Sequence, residues 1–293
     1  MYGKKAQCIT IAVLLIVSLM CIVPLLLVVA SSFTSERALE QNGYSLFPSE
    51  LSLDAYIYLL TSKDKLLRAY EVSFFVTIIG TLSSVMITML FAYPLSNREL
   101  PGRNFFSFFV FFTMLFNGGL IPTYLMYTQT FHIKDTIWAL IVPSLLMNGF
   151  SVLMVRTYLS TNIPQEILDA ARIDGASDMR TFCAIVLPLS KPILATVAFM
   201  TGLAYWNDWM NGLYYLVKRT GLFTIQNLLN RILSSAEFLR NNDSNALITA
   251  GLKIPSVGSR MAISVIGMLP ILIAYPFFQR GFVKGITIGG VKG

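Results

Sequence analysis

Between Ile9 and Ala30 the chain runs 22 residues without a charge, and a chain carrying such a run has to shelter it from water. About 20 apolar residues wound as a helix are long enough to cross the ~30 Å hydrocarbon core of a bilayer. Five more apolar runs follow: Val72–Leu95, Phe105–Tyr127, Ile137–Val155, Ile193–Leu213 and Met261–Phe278. Only 13% of the 293 residues are charged, 55% are hydrophobic and mean hydropathy is +0.66, whereas a soluble domain carries about 25% charged residues. These observations predict an all-α polytopic membrane protein with six transmembrane helices. The first run follows Lys4 and Lys5, as in a signal peptide, but it exceeds the apolar core of about 7–15 residues that such peptides have. A retained first helix is expected.

Six crossings leave both termini on one side, together with loops 97–104 and 156–191. The other side holds 31–71, 129–136 and 214–260. Each side has 11 Lys and Arg, but the first is shorter and holds five acidic residues against ten. The denser positive charge orients the termini towards the cytoplasm. Gly118, Gly119 and Pro122 interrupt the third run, and Pro24, Pro94, Pro143, Pro270 and Pro276 fall in or near others. Lipid tolerates such breaks where protein or water satisfies the freed backbone groups, so the helices are expected to pack as a bundle.

Several functions are disfavoured. The net charge of +7 is scattered, with no run of five basic residues, so it speaks for membrane orientation and not for nucleic acid. Cys8, Cys21 and Cys183 lack metal-ligand spacing and read as inert packing residues, and the single His132 supports no histidine-based metal cluster. No metal site is expected. The phosphate-binding pattern G-x-x-x-x-G-K-[ST] is missing, so ATP would have to be bound by another chain.

One stretch between apolar runs reads as if taken from a soluble protein: "DAARIDGASDMRTFCAIVLP", 169–188. Pro164 suits the first turn of a helix, where its missing N–H costs nothing, and Glu166 and Asp169 complement the helix dipole. A helix over 165–174 is predicted, stopped by Gly175 in a left-handed exit. Ser177 can cap a second helix that Pro188 ends. Ala170, Ala171, Gly175 and Ala176 leave little bulk, so a partner surface could approach closely. A helical hairpin with no partner explains the same residues.

This stretch resembles the signature loop of binding-protein-dependent ABC importer permeases, E-A-A, three residues, G, nine residues, I-x-L-P. Here it reads Asp169-Ala170-Ala171, Gly175 and Ile185-Val186-Leu187-Pro188. Asp169 replaces the usual Glu, and Glu166 stands one turn earlier. "EILDAARIDGAS", "IVLPLSKP" and "YWNDW" look like the maltose-type carbohydrate-uptake permeases, and "FNGGLIPTY" and "GFVKGITIGGVKG" resemble the branch for aldouronates and other complex oligosaccharides. The resemblance covers most of 72–293. It implies five core helices plus an N-terminal helix laid on a second permease. It also implies two ATPase subunits that bind ATP and Mg, an extracytoplasmic solute-binding protein, and a bacterial plasma-membrane location with cytoplasmic termini. Glu166, Asp169, Ala170, Ala171, Gly175, Ile185, Leu187 and Pro188 would then couple to the ATPase. No cofactor is expected in this chain. The implied division is 1–71 (first helix and external loop), 72–280 (permease core) and 281–293 (glycine-rich, flexible tail).

A second constellation is "YWNDWMNGLYY", 205–215. Trp206, Trp209 and Tyr214 could stack on sugar C–H faces while Asn207, Asp208 and Asn211 bond hydroxyls. An interfacial aromatic belt with polar anchors explains the same residues. Against the importer reading stand an ion-coupled secondary transporter, which usually needs ionisable residues inside its spans, and a membrane-embedded enzyme, which needs a catalytic set that Asp208 alone does not make.

Overall fold

A computed structural model of the protein describes the backbone of residues 4–60, 63–241 and 257–290, with side chains over 7–60, 63–234 and 257–277. Among the described residues there is no strand, only an isolated antiparallel bridge between Thr34 and Leu51. Helix α1 (Lys4–Ser32) contains Pro24, and no part of its apolar window is buried by the rest of the described chain. Next come α2 (Glu36–Asn42), capped by Ser35, and α3 (Asp54–Leu60). Helix α4 (Lys63–Ser96) starts well before the apolar run expected at Val72. It is followed by α5 (Arg103–Leu115), α6 (Leu120–Leu125) with a π-helical turn to Thr130, α7 (Trp138–Ile141) and α8 (Gly149–Asn162). Then come α9 (Gln165–Ile173), α10 (Asp178–Thr181), a π-helical turn over Phe182–Val186, α11 (Leu187–Leu189) and α12 (Lys191–Asn207). The chain closes with α13 (Met210–Tyr215), α14 (Ile225–Asn241) and α15 (Val257–Gly290).

The expectation of six continuous spans needs correction. Three helices, α1, α4 and α15, are long and apolar enough to cross a bilayer unbroken. Two bent pairs raise the number to five: α5 with α6 and its π-turn, bent by 111°, and α10–α11 with α12, bent by 79°. The third run breaks at Asn117-Gly118-Gly119. Gly119 has φ +85°, and its N–H donates to the Asn117 side chain at 2.8 Å. The fourth run breaks after α7. Pro143 has no N–H to continue the helix, and Ser144 takes a left-handed φ of +63°. Helix α15 stays helical through Gly281, Gly285 and Gly289 to Gly290, where the glycines predict a flexible tail. The cysteines are a further correction, because Cys8, Cys21 and Cys183 are all free and exposed.

The described residues form two compact units, each with its own packing. In the unit made of the residues up to Leu67 with Leu228–Pro270, Ala55 and Leu59 pack on Ala262 and Ile263. There the Glu36 carboxylate accepts the first two N–H groups of α15, Val257 at 2.8 Å and Gly258 at 3.1 Å. This caps a helix start from across the sequence, where the N–H groups have no partner in their own helix. In the unit made of Arg68–Asn227 with Ile271 onward, Met89, Val110, Val152, Val155, Phe182, Val186, Ile193 and Val197 share one core. A second core joins Val72, Val76, Leu140, Ile141, Tyr205 and Leu216. Helices α4 and α12 come so close that a Cβ on Gly80 would lie 2.5 Å from the Tyr205 ring.

Candidate functional site

Residues 163–190 build an elbow whose ends are locked by local hydrogen bonds. Pro164 sits at the N-cap in extended conformation (φ −61°, ψ 136°), one place before the first helical turn it was expected to occupy. Helix α9 runs to Ile173, within a residue of the expected end. It closes as a Schellman motif: Ala176 N–H reaches Ala171 O at 2.9 Å, Gly175 N–H reaches Arg172 O at 3.0 Å, and Gly175 has φ +76°. This geometry strains any residue with a Cβ and suits glycine. Ser177 accepts from Arg180 N–H at 3.3 Å and starts α10 as expected.

The second arm widens into a π-turn just before Pro188, where Leu187 N–H bonds to Phe182 O. A proline ring collides with the carbonyl four residues back in an α-helix, and one extra residue in the turn relieves that collision. The arm ends at Ser190, whose hydroxyl donates to Val186 O at 2.6 Å.

Most residues expected to couple to an ATPase lie on the outside of this elbow. Glu166, Asp169, Ala170, Gly175 and Pro188 are exposed, and Ile185 and Leu187 are half-buried. Ala171 is the exception, buried inside the elbow, so its small side chain serves the chain's own packing. A cleft of about 390 Å³ lies between the arms, lined by Ile167, Ala170, Asp174, Arg180 and Ile185 among others. Two apolar residues missed by sequence reasoning stand out, Ile173 at 86% exposure and Met179 at 62%. Ile173 sits opposite the alanine pair in the helical repeat, and an isoleucine beside charges at a helix end was the available signal.

Arg172 approaches Asp169 at 3.8 Å and Glu99, in the loop between α4 and α5, at 3.6 Å. Neither Asp174 nor Arg180 takes part in an ion pair among the described residues. Such exposed pairs contribute about 0–1 kcal/mol, so they orient the elbow more than they stabilise it.

The 205–215 constellation is spent largely on the broken fourth run. Tyr205 hydroxyl donates to Ile141 O at 2.8 Å, and Asn211 amide donates to Pro143 O at 3.1 Å. These are carbonyls that the break at Pro143 leaves without helical donors. Asp208 accepts from Met210 and Asn211 N–H at 3.1 and 3.2 Å and so starts α13. Trp206 is buried against Tyr70 and Phe74, with ring centroids at 6.3 and 5.2 Å. Asn207 and Trp209 remain exposed and Tyr214 is half-buried. Asn227, unnoticed in the sequence, is fully buried and donates to Trp209 O at 3.1 Å. Among the described residues no group of three His, Cys, Asp or Glu side chains could hold a metal ion.

Bent membrane helices joined to a locked hydrophilic elbow define a class, the membrane-embedded subunit of a transporter. Residues 67–288 match the family model described as the binding-protein-dependent transport system inner membrane component, and the chain belongs to that family. The polygalacturonan/rhamnogalacturonan transport system permease protein YtcP of Bacillus subtilis is 38% identical over 280 residues, 96% of each chain. The arabinooligosaccharides transport system permease protein AraQ of Halalkalibacterium halodurans is 31% identical over 94% of this chain and 93% of its own. A solved bacterial ABC transporter involved in the import of the acidic polysaccharide alginate superposes with a TM-score of 0.78. It has 27% identity and covers 96% of this chain and 98% of its own. The chain is a permease subunit of an ABC importer of the carbohydrate-uptake kind, a transport subunit and not an enzyme. The ion-coupled alternative has no support.

Proposed function

We propose that this chain is one of two permeases in an importer of oligosaccharides, held in a bacterial plasma membrane with the elbow and both termini in the cytoplasm. Two ATPase subunits bind ATP and Mg, and a solute-binding protein delivers the sugar on the outer side. Helix α9 docks on one ATPase subunit through Glu166, Asp169, Ala170, Gly175 and the apolar Ile173, while Ile185, Leu187 and Pro188 carry the second arm into α12. When nucleotide closes the ATPase pair, the elbow moves with it and biases the bundle between two openings. The last turns of α15 extend towards the ATPase pair. Asn207, Trp209 and Tyr214 are the members of the outer constellation that remain accessible to a sugar. The relatives' substrates, polygalacturonan, rhamnogalacturonan and alginate, support uronate-bearing oligosaccharides as cargo.

The observation that carries the coupling assignment is the Schellman closure of α9 at an exposed glycine. A Cβ built on Gly175 meets nothing within 4 Å in this chain. Asparagine tolerates the left-handed region, so Gly175→Asn should preserve the fold and its yield in membranes. The same variant should co-purify with the ATPase subunits at well under half the wild-type ratio, and Gly175→Trp should not co-purify at all. Normal co-purification and uptake in both variants would remove the docking assignment.

A further inference from the structure

Helix α15 opens with Val257-Gly258-Ser259-Arg260, and Arg260 is the only charged residue between Val257 and Phe277. Its Nε is buried and has no hydrogen-bond partner among the described residues, and no ion pair among them includes it. The carboxylate that does reach this turn, Glu36, spends both oxygens on the N–H groups of Val257 and Gly258. A cation in the first turn also opposes the helix dipole. Burying a charge without a partner is costly, and ionisable side chains inside apolar spans mark pathways for ions or substrates.

What Arg260 lacks is an anion, and its planar fork fits one chemistry best, two oxygens in a plane as a carboxylate offers. Every ring of a polygalacturonan fragment carries such a group. The exposed cations Lys134, Lys218 and Arg219 have no comparable need, being open to solvent, and Lys134 already donates to the Tyr124 hydroxyl at 3.0 Å. We propose that Arg260 is the acid-recognising residue of the transport route, binding one uronate carboxylate of the passing oligosaccharide. The assignment rests on the oligosaccharide-permease reading given above.

The test uses the assembled importer (this chain, its partner permease and both ATPase subunits) in lipid nanodiscs. Binding of trigalacturonate and of its fully methyl-esterified, uncharged form is measured by calorimetry. Wild type should prefer the free acid. Arg260→Gln should weaken acid binding by about tenfold, the loss expected for a charge-assisted pair, and leave ester binding unchanged. Arg260→Lys, which keeps the charge but not the fork, should fall between them.

Equal acid binding in wild type and Arg260→Gln overturns the proposal, as does equal loss for acid and ester. So does a wild-type complex that binds neither. Should Arg260→Gln not assemble, Arg260→Lys carries the test, and an undiminished acid preference there overturns it. Failure of both variants to assemble overturns it too, because Arg260 would then be paired with a carboxylate of the neighbouring permease. Sugar-stimulated ATP hydrolysis with the solute-binding protein added separates the two levels. Stimulation by neutral xylotriose alone removes only the Arg260 assignment, and no stimulation by any sugar removes the permease reading itself.

Discussion

Asp135 closes the loop ahead of α7 by itself. One of its carboxylate oxygens accepts three successive N–H groups, from Val217 at 2.7 Å, Lys218 at 2.8 Å and Arg219 at 3.3 Å. Its own N–H donates to Tyr215 O at 3.0 Å. These N–H groups, that of Lys218 foremost, stabilise the ionised form and hold the carboxyl below its ordinary range, with Lys134 adding to the effect. A carboxyl lowered on folding contributes its full stabilisation above the unfolded value and loses it as pH falls through the folded one. The clamp should therefore hold at neutral pH and open only on the acid side of the carboxylate range. Asp135→Asn should make the 215–219 segment more susceptible to protease at pH 7, and the difference from wild type should vanish in acid. Wild-type resistance at pH 7 in the variant would show that the clamp does not hold the segment. Nothing around Asp135 in the sequence announced this role, because its partners lie some eighty residues away and are backbone groups.

Elements show why some breaks were legible and others not. The elbow was readable because its signals are local: a proline before α9, a glycine after it and a serine before α10 each act within a few residues. Pro143 and the Gly118–Gly119 pair were equally visible, yet whether a helix bends or ends there depends on who satisfies the freed carbonyls. For the fourth run those donors are Tyr205 and Asn211, more than sixty residues downstream, and the same two residues looked like sugar ligands when read by composition alone. Tyr205→Phe should cost about 0.6–2 kcal/mol, the range for hydrogen bonds between membrane helices, read as a shift in detergent unfolding. Gly80→Ala should cost about 1–3 kcal/mol by overpacking, since its methyl would enter the Tyr205 ring. If Gly80→Ala unfolds like wild type, the close contact of α4 with α12 is not as described.

For the whole molecule, the number of crossings was the least legible quantity. Hydropathy counts apolar residues and is blind to a 111° bend inside a run. It also cannot tell which apolar faces a second permease covers, and α1, unburied by its own described chain, is the clearest case. Family membership and charge bias supply what periodicity does not, a direction for the chain and a set of neighbours.

The cap that Glu36 places on α15 has a practical corollary for anyone shortening the polypeptide. The family match begins at residue 67, so a chain trimmed to that boundary looks complete yet sheds the acidic lid of its final helix. Such a truncated version should fray from Val257 onward, visible as faster amide exchange over the first turn of α15, and supplying residues 1–66 as a separate piece should slow it again. Unchanged exchange would mean that this helix start holds without its distant lid.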